Sequence, residues 1–237
     1  MPIKSFPSLE SLSAAAAKEI AILAKEAIEE RGQFTIALSG GNTPRSLYEL
    51  LARDYSTSID WKRVHLFWGD ERFVPLKDPA SNFRMAREAL QDGIDIPAEN
   101  IHPIPTAMSD PLDSALGYSV ELFQFFKGET PEFDIVLLGL GNDGHTASLF
   151  PGMYEKEMNR GDVIVTRSPV IPFDRISLTL SVINNARNVF FLVAGSDKAG
   201  ILHEVLEDAK NEKPKFPAAM VKPVGNLLWF VDEAANS

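Results

Sequence analysis

The sequence of 237 residues contains no cysteine. This absence excludes disulfide bonds, thiolate metal sites and cysteine nucleophiles. It also fits a reducing compartment, so we expect a cytoplasmic protein. The histidines also lack a zinc-binding pattern: none of the four has metal-ligand spacing to another, and no H-E-x-x-H motif occurs. We therefore expect no bound metal.

Long apolar runs and an excess of positive charge are also missing. No segment approaches the ~18 uninterrupted apolar residues of a membrane helix, and charges interrupt the N-terminal region at Lys4, Glu10 and Lys18. We expect neither a signal peptide nor a membrane span. The net charge of −10 repels nucleic acid and anionic membranes, which we exclude as partners. A phosphorylated ligand would need locally gathered arginine or lysine residues.

The chain is rich in alternating helix and strand patterns. Hydrophobic residues make up 45%, enough for a substantial core. Helical spacing predicts a helix over 9–30, capped by Ser8 and ended by Gly32. Further strands are predicted at 33–38, 64–68, 133–138, 175–180, 188–194 and 227–231, with helices at 44–51, 82–90, 111–126 and 198–206. This alternation predicts one α/β domain over 1–237, a doubly wound, mostly parallel sheet with helices on both faces.

In such sheets, ligands bind outside the carboxyl ends of the strands. The first strand runs into Ser39, Gly40, Gly41, Asn42 and Thr43. Its glycines and the helix that follows predict a phosphate cradle, the alternative being an ordinary strand-to-helix turn. The segment ALSGG also approaches the G-x-S-x-G nucleophile motif, but it lacks the first glycine. We therefore disfavour Ser39 as a nucleophile.

Charged residues follow the second strand in the segment GDERFVP. Asp70, Glu71 and Arg72 would bring charge to the rim of the sheet. The alternative is a solvated loop with an internal ion pair, which is the commoner meaning of a charged triplet.

The segment GLGNDGHTASLFPG, residues 139–152, follows the most apolar strand. Its G-x-G-x-x-G pattern suggests dinucleotide binding. Two features oppose that interpretation: a helix from His145 would soon meet Pro151, and Asp143 would set a carboxylate where a pyrophosphate must approach. We therefore expect no nucleotide and no other cofactor.

His145 is the strongest candidate for chemistry. It is the only histidine in a glycine-rich loop after a strand, and Asp143 stands two residues before it. A neutral imidazole can take a proton from water near neutral pH. The remaining histidines are expected to be structural or superficial: His65, His102 and His203.

Two cations complete the candidate site. Arg175 opens the segment RISLTL, and Lys198 lies in GSDKAG after a predicted strand. Either residue alone is an ordinary surface charge. Together with backbone amides, however, they supply what a phosphate monoester needs in an otherwise acidic chain.

The segments SGGNTP, WGDERFVP, FDIVLLGLGNDGHTASLFPG, RISLTL and GSDKA together resemble, in order, the 6-phosphogluconolactonase family. The resemblance implies the sugar-phosphate isomerase-like variant of the α/β sandwich. It also implies hydrolysis of 6-phosphoglucono-δ-lactone to 6-phosphogluconate in the oxidative pentose phosphate pathway. The partner would be this small phosphorylated lactone, and we expect a monomer or a weak homodimer.

Carried over by position, the resemblance makes His145 the general base. Residues 40–43 become part of the phosphate site, with Arg175 and Lys198 supplying charge. Arg72 would lie near the lactone or the phosphate, and Asp70 would orient the polar rim.

A sister family, the glucosamine-6-phosphate deaminases, shares the first glycine loop and the Asp-Gly-His loop. Arg72 stands where deaminases usually carry an aromatic residue, and SLFPG also departs from their pattern, so the lactonase is favoured. Asn142 departs from the proline or acidic residue that lactonases often have. More distant alternatives are a cofactor-binding dehydrogenase and a non-enzymatic sugar-phosphate sensor.

Overall fold

A computed structural model describes residues 3–237. Its strands are β1 (Ile3–Phe6), β2 (Phe34–Leu38), β3 (Val64–Trp68), β4 (Asp70–Arg72), β5 (Ile101–His102), β6 (Ile135–Leu138), β7 (Val163–Arg167), β8 (Asp174–Leu178), β9 (Asn188–Val193) and β10 (Asn226–Asp232). Its α-helices are α1 (Leu9–Arg31), α2 (Asn42–Asp54), α3 (Asn82–Ala89), α4 (Pro111–Phe125), α5 (Glu155–Met158), α6 (Leu180–Asn184) and α7 (Ala199–Asp208).

Seven strands form a sheet in the order β1-β10-β9-β6-β2-β3-β5. Every neighbouring pair is parallel. The chain winds outward from β2 through β3 to β5, and later fills the other side with β6, β9 and β10. The winding direction therefore reverses between β2 and β6, where such folds open a binding crevice. Helices cover both faces, which confirms the predicted fold class.

Burial in the core explains why the strands of the main sheet are continuous apolar runs in the sequence. All residues of β2, β6 and β9 are buried, as expected for parallel strands covered on both faces. Aromatic rings fill the space between strands: Phe191 and Trp229 stack with 3.8 Å between their centroids. No helix within residues 3–237 is long and apolar enough to cross a membrane.

A second sheet, which the sequence patterns did not predict, stands beside the first. It has three strands in the order β4-β8-β7, with antiparallel pairs. Gly69 joins the two sheets because its N–H donates to Leu38 and its carbonyl accepts from Leu178, both at 2.8 Å. The expected charged loop after β3 is thus a strand. The predicted strand 175–180 belongs to this second sheet and ends at Leu178.

Other differences concern element ends. The second helix begins at Asn42 instead of Pro44, with Gly41 as N-cap, so that Pro44 lies within the first turn. Proline is tolerated there because the first N–H groups of a helix have no intrahelical acceptor. The predicted ends of α1 are confirmed: the Ser8 side chain accepts from Ser11 N, and Gly32 adopts a left-handed conformation with φ 82°.

Candidate active site

A cavity of about 400 Å³ opens beside the carboxyl ends of β2 and β6, next to the second sheet. Most residues predicted for the site line it: Ser39, Gly40, Gly41, Asp70, Arg72, His145, Arg175 and Lys198. Asn42 and Thr43 line an adjoining groove at the start of α2. Asp143 lines a neighbouring pocket. Residues far apart in sequence thus meet where the winding direction reverses.

His145 is held through one ring nitrogen. Its Nδ1 lies 2.5 Å from Asp143 Oδ1, and its backbone N–H donates to the same oxygen at 3.1 Å. Because a carboxylate can only accept, the proton belongs on Nδ1 and the lone pair on Nε2. Burial raises the pKa of Asp143, but the hydrogen bonds and the electrostatic attraction from His145 outweigh it. The pKa of Asp143 therefore lies below its ordinary value.

The loop is shaped around this imidazole. A Cβ on Gly141 would lie 2.1 Å from His145 Nδ1, so only glycine allows the ring to rest against the backbone there. Phe150 packs against the same ring, with 5.0 Å between centroids. Gly141, one of the glycines that resembled a dinucleotide motif, thus makes room for the histidine ring.

Arg72 and Arg175 face each other across β4 and β8 as paired positions of the ladder. Arg175 is buried: its Nη2 donates to Ser168 Oγ at 3.4 Å, and its Nε has no partner within residues 3–237. Like charges directly opposite each other destabilise a sheet. Burial lowers the pKa of Arg175, and the charge of Arg72 lowers it further, against the opposing effect of Asp70 and Glu71. An anion in the cavity would relieve this repulsion.

Asp70 is buried at the cavity wall, where Ser148 Oγ donates to its Oδ2 at 2.6 Å. Asn82 Nδ2 donates to the Asp70 carbonyl at 2.9 Å. A Cβ on Gly40 would lie 1.9 Å from Asn82 Oδ1, so a glycine is required there as well. Asn82 therefore ties the first glycine loop to Asp70. The hydrogen bonds of Ser148 and Asn82 to Asp70 were not predicted from the sequence.

Glu71 has no ion pair within residues 3–237 and does not lie in a solvated loop, contrary to the alternative interpretation of its triplet. It is 1% exposed. Its oxygens accept from the N–H groups of Arg72, Asn82 and Phe83 and from Ser81 Oγ, at 2.7–3.0 Å. Burial raises its pKa against these hydrogen bonds. Glu71 thus caps α3 and holds the loop from Asp70 to Asn82 in shape.

Lys198 ends a one-turn 3₁₀ helix after β9. It lines both the main cavity and the adjoining groove, and its Nζ donates to Asn142 Oδ1. The Ser39 Oγ donates to the Gly40 carbonyl at 3.2 Å, and no histidine of the described residues is hydrogen-bonded to it as a nucleophile would require. The Tyr48 hydroxyl, which both accepts from Ser39 N and donates to Ser39 O, fixes this strand end.

The remaining histidines lie outside the cavity. His65 Nδ1 lies 3.1 Å from His102 Nε2, and His102 Nδ1 lies 2.8 Å from Glu121 Oε1. His203 is exposed on α7. Across residues 3–237, no three histidine, aspartate or glutamate side chains converge as a metal site would require.

Comparison with known proteins places this arrangement in a family. A family model described as glucosamine-6-phosphate isomerases/6-phosphogluconolactonase matches residues 7–229. The chain is 48% identical over 214 residues to a 6-phosphogluconolactonase of Synechocystis sp., covering 89% of this chain and 87% of the relative. It is 44% identical over 214 residues to a 6-phosphogluconolactonase of Nostoc sp., with the same coverage.

Solved structures of related proteins have the same fold as this chain. A 6-phosphogluconolactonase of Thermotoga maritima superposes with a TM-score of 0.84 at 31% identity, covering 98% of this chain and 99% of that one. A monomeric glucosamine-6-phosphate deaminase superposes with a TM-score of 0.82 at 22% identity, covering 99% of this chain and 98% of that one, which shows the shared fold alone. From the family match and these relatives, the chain belongs to the 6-phosphogluconolactonase family.

Proposed function

We propose that this protein hydrolyses 6-phosphoglucono-δ-lactone to 6-phosphogluconate, within the oxidative pentose phosphate pathway, using His145 as the general base. One observation carries the proposal: Asp143 holds Nδ1 of a histidine whose other nitrogen has no partner within residues 3–237, beside a cavity lined by three cationic side chains. The names of the relatives supply the lactone and its phosphate.

Phosphate anchoring is the first step. The amides of residues 40–43 at the start of α2 form a natural anion site, which the helix dipole strengthens. Lys198 adds charge from the turn after β9, and Arg175 adds charge from strand β8. Anchoring the remote end of the substrate would position its ring carbonyl beside His145. Such positioning contributes several kcal/mol to the rate by making the attack effectively intramolecular.

Proton transfer from water follows. Neutral His145 accepts a proton at Nε2 as the water oxygen bonds to the carbonyl carbon, and Asp143 stabilises the resulting imidazolium. The carbonyl oxygen becomes an oxyanion, which Arg72 and loop amides stabilise. When the tetrahedral intermediate collapses, the bond between carbon and ring oxygen breaks. The imidazolium then returns its proton to the departing ring oxygen, so that no covalent intermediate and no metal is needed.

Asp70 would shape the polar end of the cavity. Its Oδ2 accepts from Ser148, whereas within residues 3–237 its Oδ1 has only a 3.4 Å contact from Asn82 Nδ2. Oδ1 is therefore available to accept from a hydroxyl group of the sugar. This role requires no proton transfer to or from the carboxylate.

The direct test is hydrolysis of freshly generated 6-phosphoglucono-δ-lactone, measured against the spontaneous background. We expect a large protein-dependent acceleration, and a much slower reaction with unphosphorylated glucono-δ-lactone. Equal rates for both lactones would contradict the anchoring step. No acceleration would contradict the proposed reaction, and ammonia release from glucosamine 6-phosphate would then be the assay to run.

A further inference from the structure

The contact between Asn142 and Lys198 joins two loops of the cavity. Asn142 stands between the glycine that seats the imidazole and Asp143, in the loop after β6. Lys198 belongs to the turn after β9. The lysine Nζ donates to Asn142 Oδ1 across a separation of 56 residues in sequence. Both side chains line the main cavity.

Two acceptors near the Lys198 ammonium group differ in charge and in distance from it. Its nearest acceptor, Asn142 Oδ1, belongs to a neutral amide. The carboxylate of Asp197 lies farther away, with 3.9 Å between Nζ and Oδ2, and its side chain is 65% exposed, whereas that of Lys198 is 23% exposed. Water screens an exposed carboxylate at this distance, so Asp197 removes little of the charge. Asp143, the neighbour of Asn142, is turned toward His145 instead.

A neutral partner has a specific consequence for a lysine. The long side chain of lysine loses conformational freedom when its ammonium group is held, and a ligand binds more tightly when that loss has already occurred. An acidic partner would also hold the ammonium group, but it would compete with an incoming anion for the same charge. An amide orients the group and leaves the charge available.

We propose that Asn142 is a positioning residue for the substrate's phosphate. It holds Lys198 at the border between the main cavity and the groove over residues 40–44, without neutralising the ammonium group. This inference rests on the proposed function, because it assigns the phosphate of that substrate to Lys198. It predicts that the residue at position 142 sets KM and leaves the proton transfer at His145 unchanged.

Asn142→Asp is the sharpest variant, because it adds charge at nearly constant shape. We expect KM for the phosphorylated lactone to rise about 3- to 10-fold, with kcat within about twofold of wild type. The inhibition constant of inorganic phosphate should rise by a similar factor.

Asn142→Ala, which frees Lys198 but leaves its charge, should raise KM less. Asp197→Asn is the matched control, because it changes a carboxylate near Lys198 without touching the Asn142 contact, and it should leave KM equal or slightly lower.

The same substitution in a Lys198→Ala background decides whether Asn142 acts through the lysine. If it does, Asn142→Asp should leave KM of that background unchanged. An equal rise of KM in both backgrounds would overturn the proposal, since the new carboxylate would then act on the phosphate directly. A fall of kcat at constant KM would also overturn it, because the loop around His145 would be the part disturbed.

Calorimetric titration with inorganic phosphate separates this inference from the proposed reaction. If the wild-type protein binds phosphate and Asn142→Asp weakens that binding, the positioning role stands even where lactone hydrolysis is not observed. If hydrolysis is observed and phosphate affinity is the same in both proteins, the proposed function stands and the positioning role fails.

Discussion

The described part of the chain, residues 3–237, holds two histidine–carboxylate pairs, and they differ in what the second ring nitrogen faces. In the first pair, Asp143 Oδ1 lies 2.5 Å from His145 Nδ1. In the second, Glu121 holds His102 at 2.8 Å. The His145 side chain is 33% exposed beside the cavity, whereas the His102 side chain is 11% exposed. His102 Nε2 faces another histidine, His65, at 3.1 Å.

Their surroundings follow from their places in the fold. His102 lies on the edge strand β5, stacks on Phe67 with 4.2 Å between ring centroids, and meets the edge of Phe125. His145 lies in a loop beyond the carboxyl end of β6, at the point where the sheet changes its winding direction. A histidine–carboxylate pair is therefore not by itself the mark of a general base. Under the proposed function, access of the second ring nitrogen to a reactant distinguishes the two pairs.

Replacing each histidine tests this difference most strongly. His145→Asn should lower turnover of the phosphorylated lactone about 10²- to 10⁴-fold, the usual contribution of a general base. His102→Asn, the matched control, should leave turnover per folded molecule within about twofold, since no catalytic group changes. Initial rates corrected for spontaneous hydrolysis, with the folded fraction checked by circular dichroism, measure both effects. Comparable losses in the two variants would refute the assignment of His145.

The carboxylates provide a second, smaller contrast. Asp143→Asn keeps an oxygen near Nδ1 of the histidine but removes the charge that stabilises the imidazolium. Turnover should fall about 10- to 100-fold, a loss typical of residues that orient a functional histidine by a hydrogen bond to its other ring nitrogen. Glu121→Gln should leave turnover unchanged. Steady-state kinetics at saturating substrate distinguish the two variants. An unaffected kcat in Asp143→Asn would show that the charge of Asp143 does not assist His145.

The cluster of His65, His102 and Glu121 should contribute to the dependence of stability on acid pH. Burial, and to a lesser degree the charge of His102, lowers the pKa of His65 to about 4, against ~6.5 for an ordinary histidine. Between these values the unfolded chain binds a proton at this residue that the folded chain does not. The free energy of unfolding therefore falls as pH falls from about 6.5 toward 4. His102 and Glu121 are the titratable groups beside His65 and are unchanged in the test.

His65→Gln removes this proton uptake, so stability should decline less steeply with acidification. Urea unfolding at several pH values in that window measures the slope. His203→Gln, a change at an exposed histidine of α7, is the control and should keep the wild-type slope. Identical slopes in all three proteins would show that His65 does not contribute.

Much of the main sheet could be predicted because its signal is local. Strands such as β3 and β9 are short apolar runs, and glycine, proline and capping residues mark the elements around them. The prediction that the chemistry-bearing loops follow strands needed only this alternation, together with the rule that parallel strands share a carboxyl edge. The prominence of His145 was likewise visible from its glycine-rich loop.

The second sheet escaped prediction for physical reasons. Strand β4 has three residues, all charged, and no apolar periodicity can reveal it. It forms because β8, about 100 residues later in the chain, supplies antiparallel partners. Glu71 was misjudged for the same reason, since its burial depends on amide donors at the start of α3. Local pattern contains no information about such distant pairing.

The sequence by itself determined which chemical groups are present and in which loops: a histidine after an aspartate, a glycine loop before a helix, and a few cations in an acidic chain. Tertiary structure decided which of these groups meet. It set Arg72 opposite Arg175 and brought Lys198 to Asn142. The physical reason is that residue type and local periodicity are written along the chain, whereas the order and register of strands arise only when the whole core packs together.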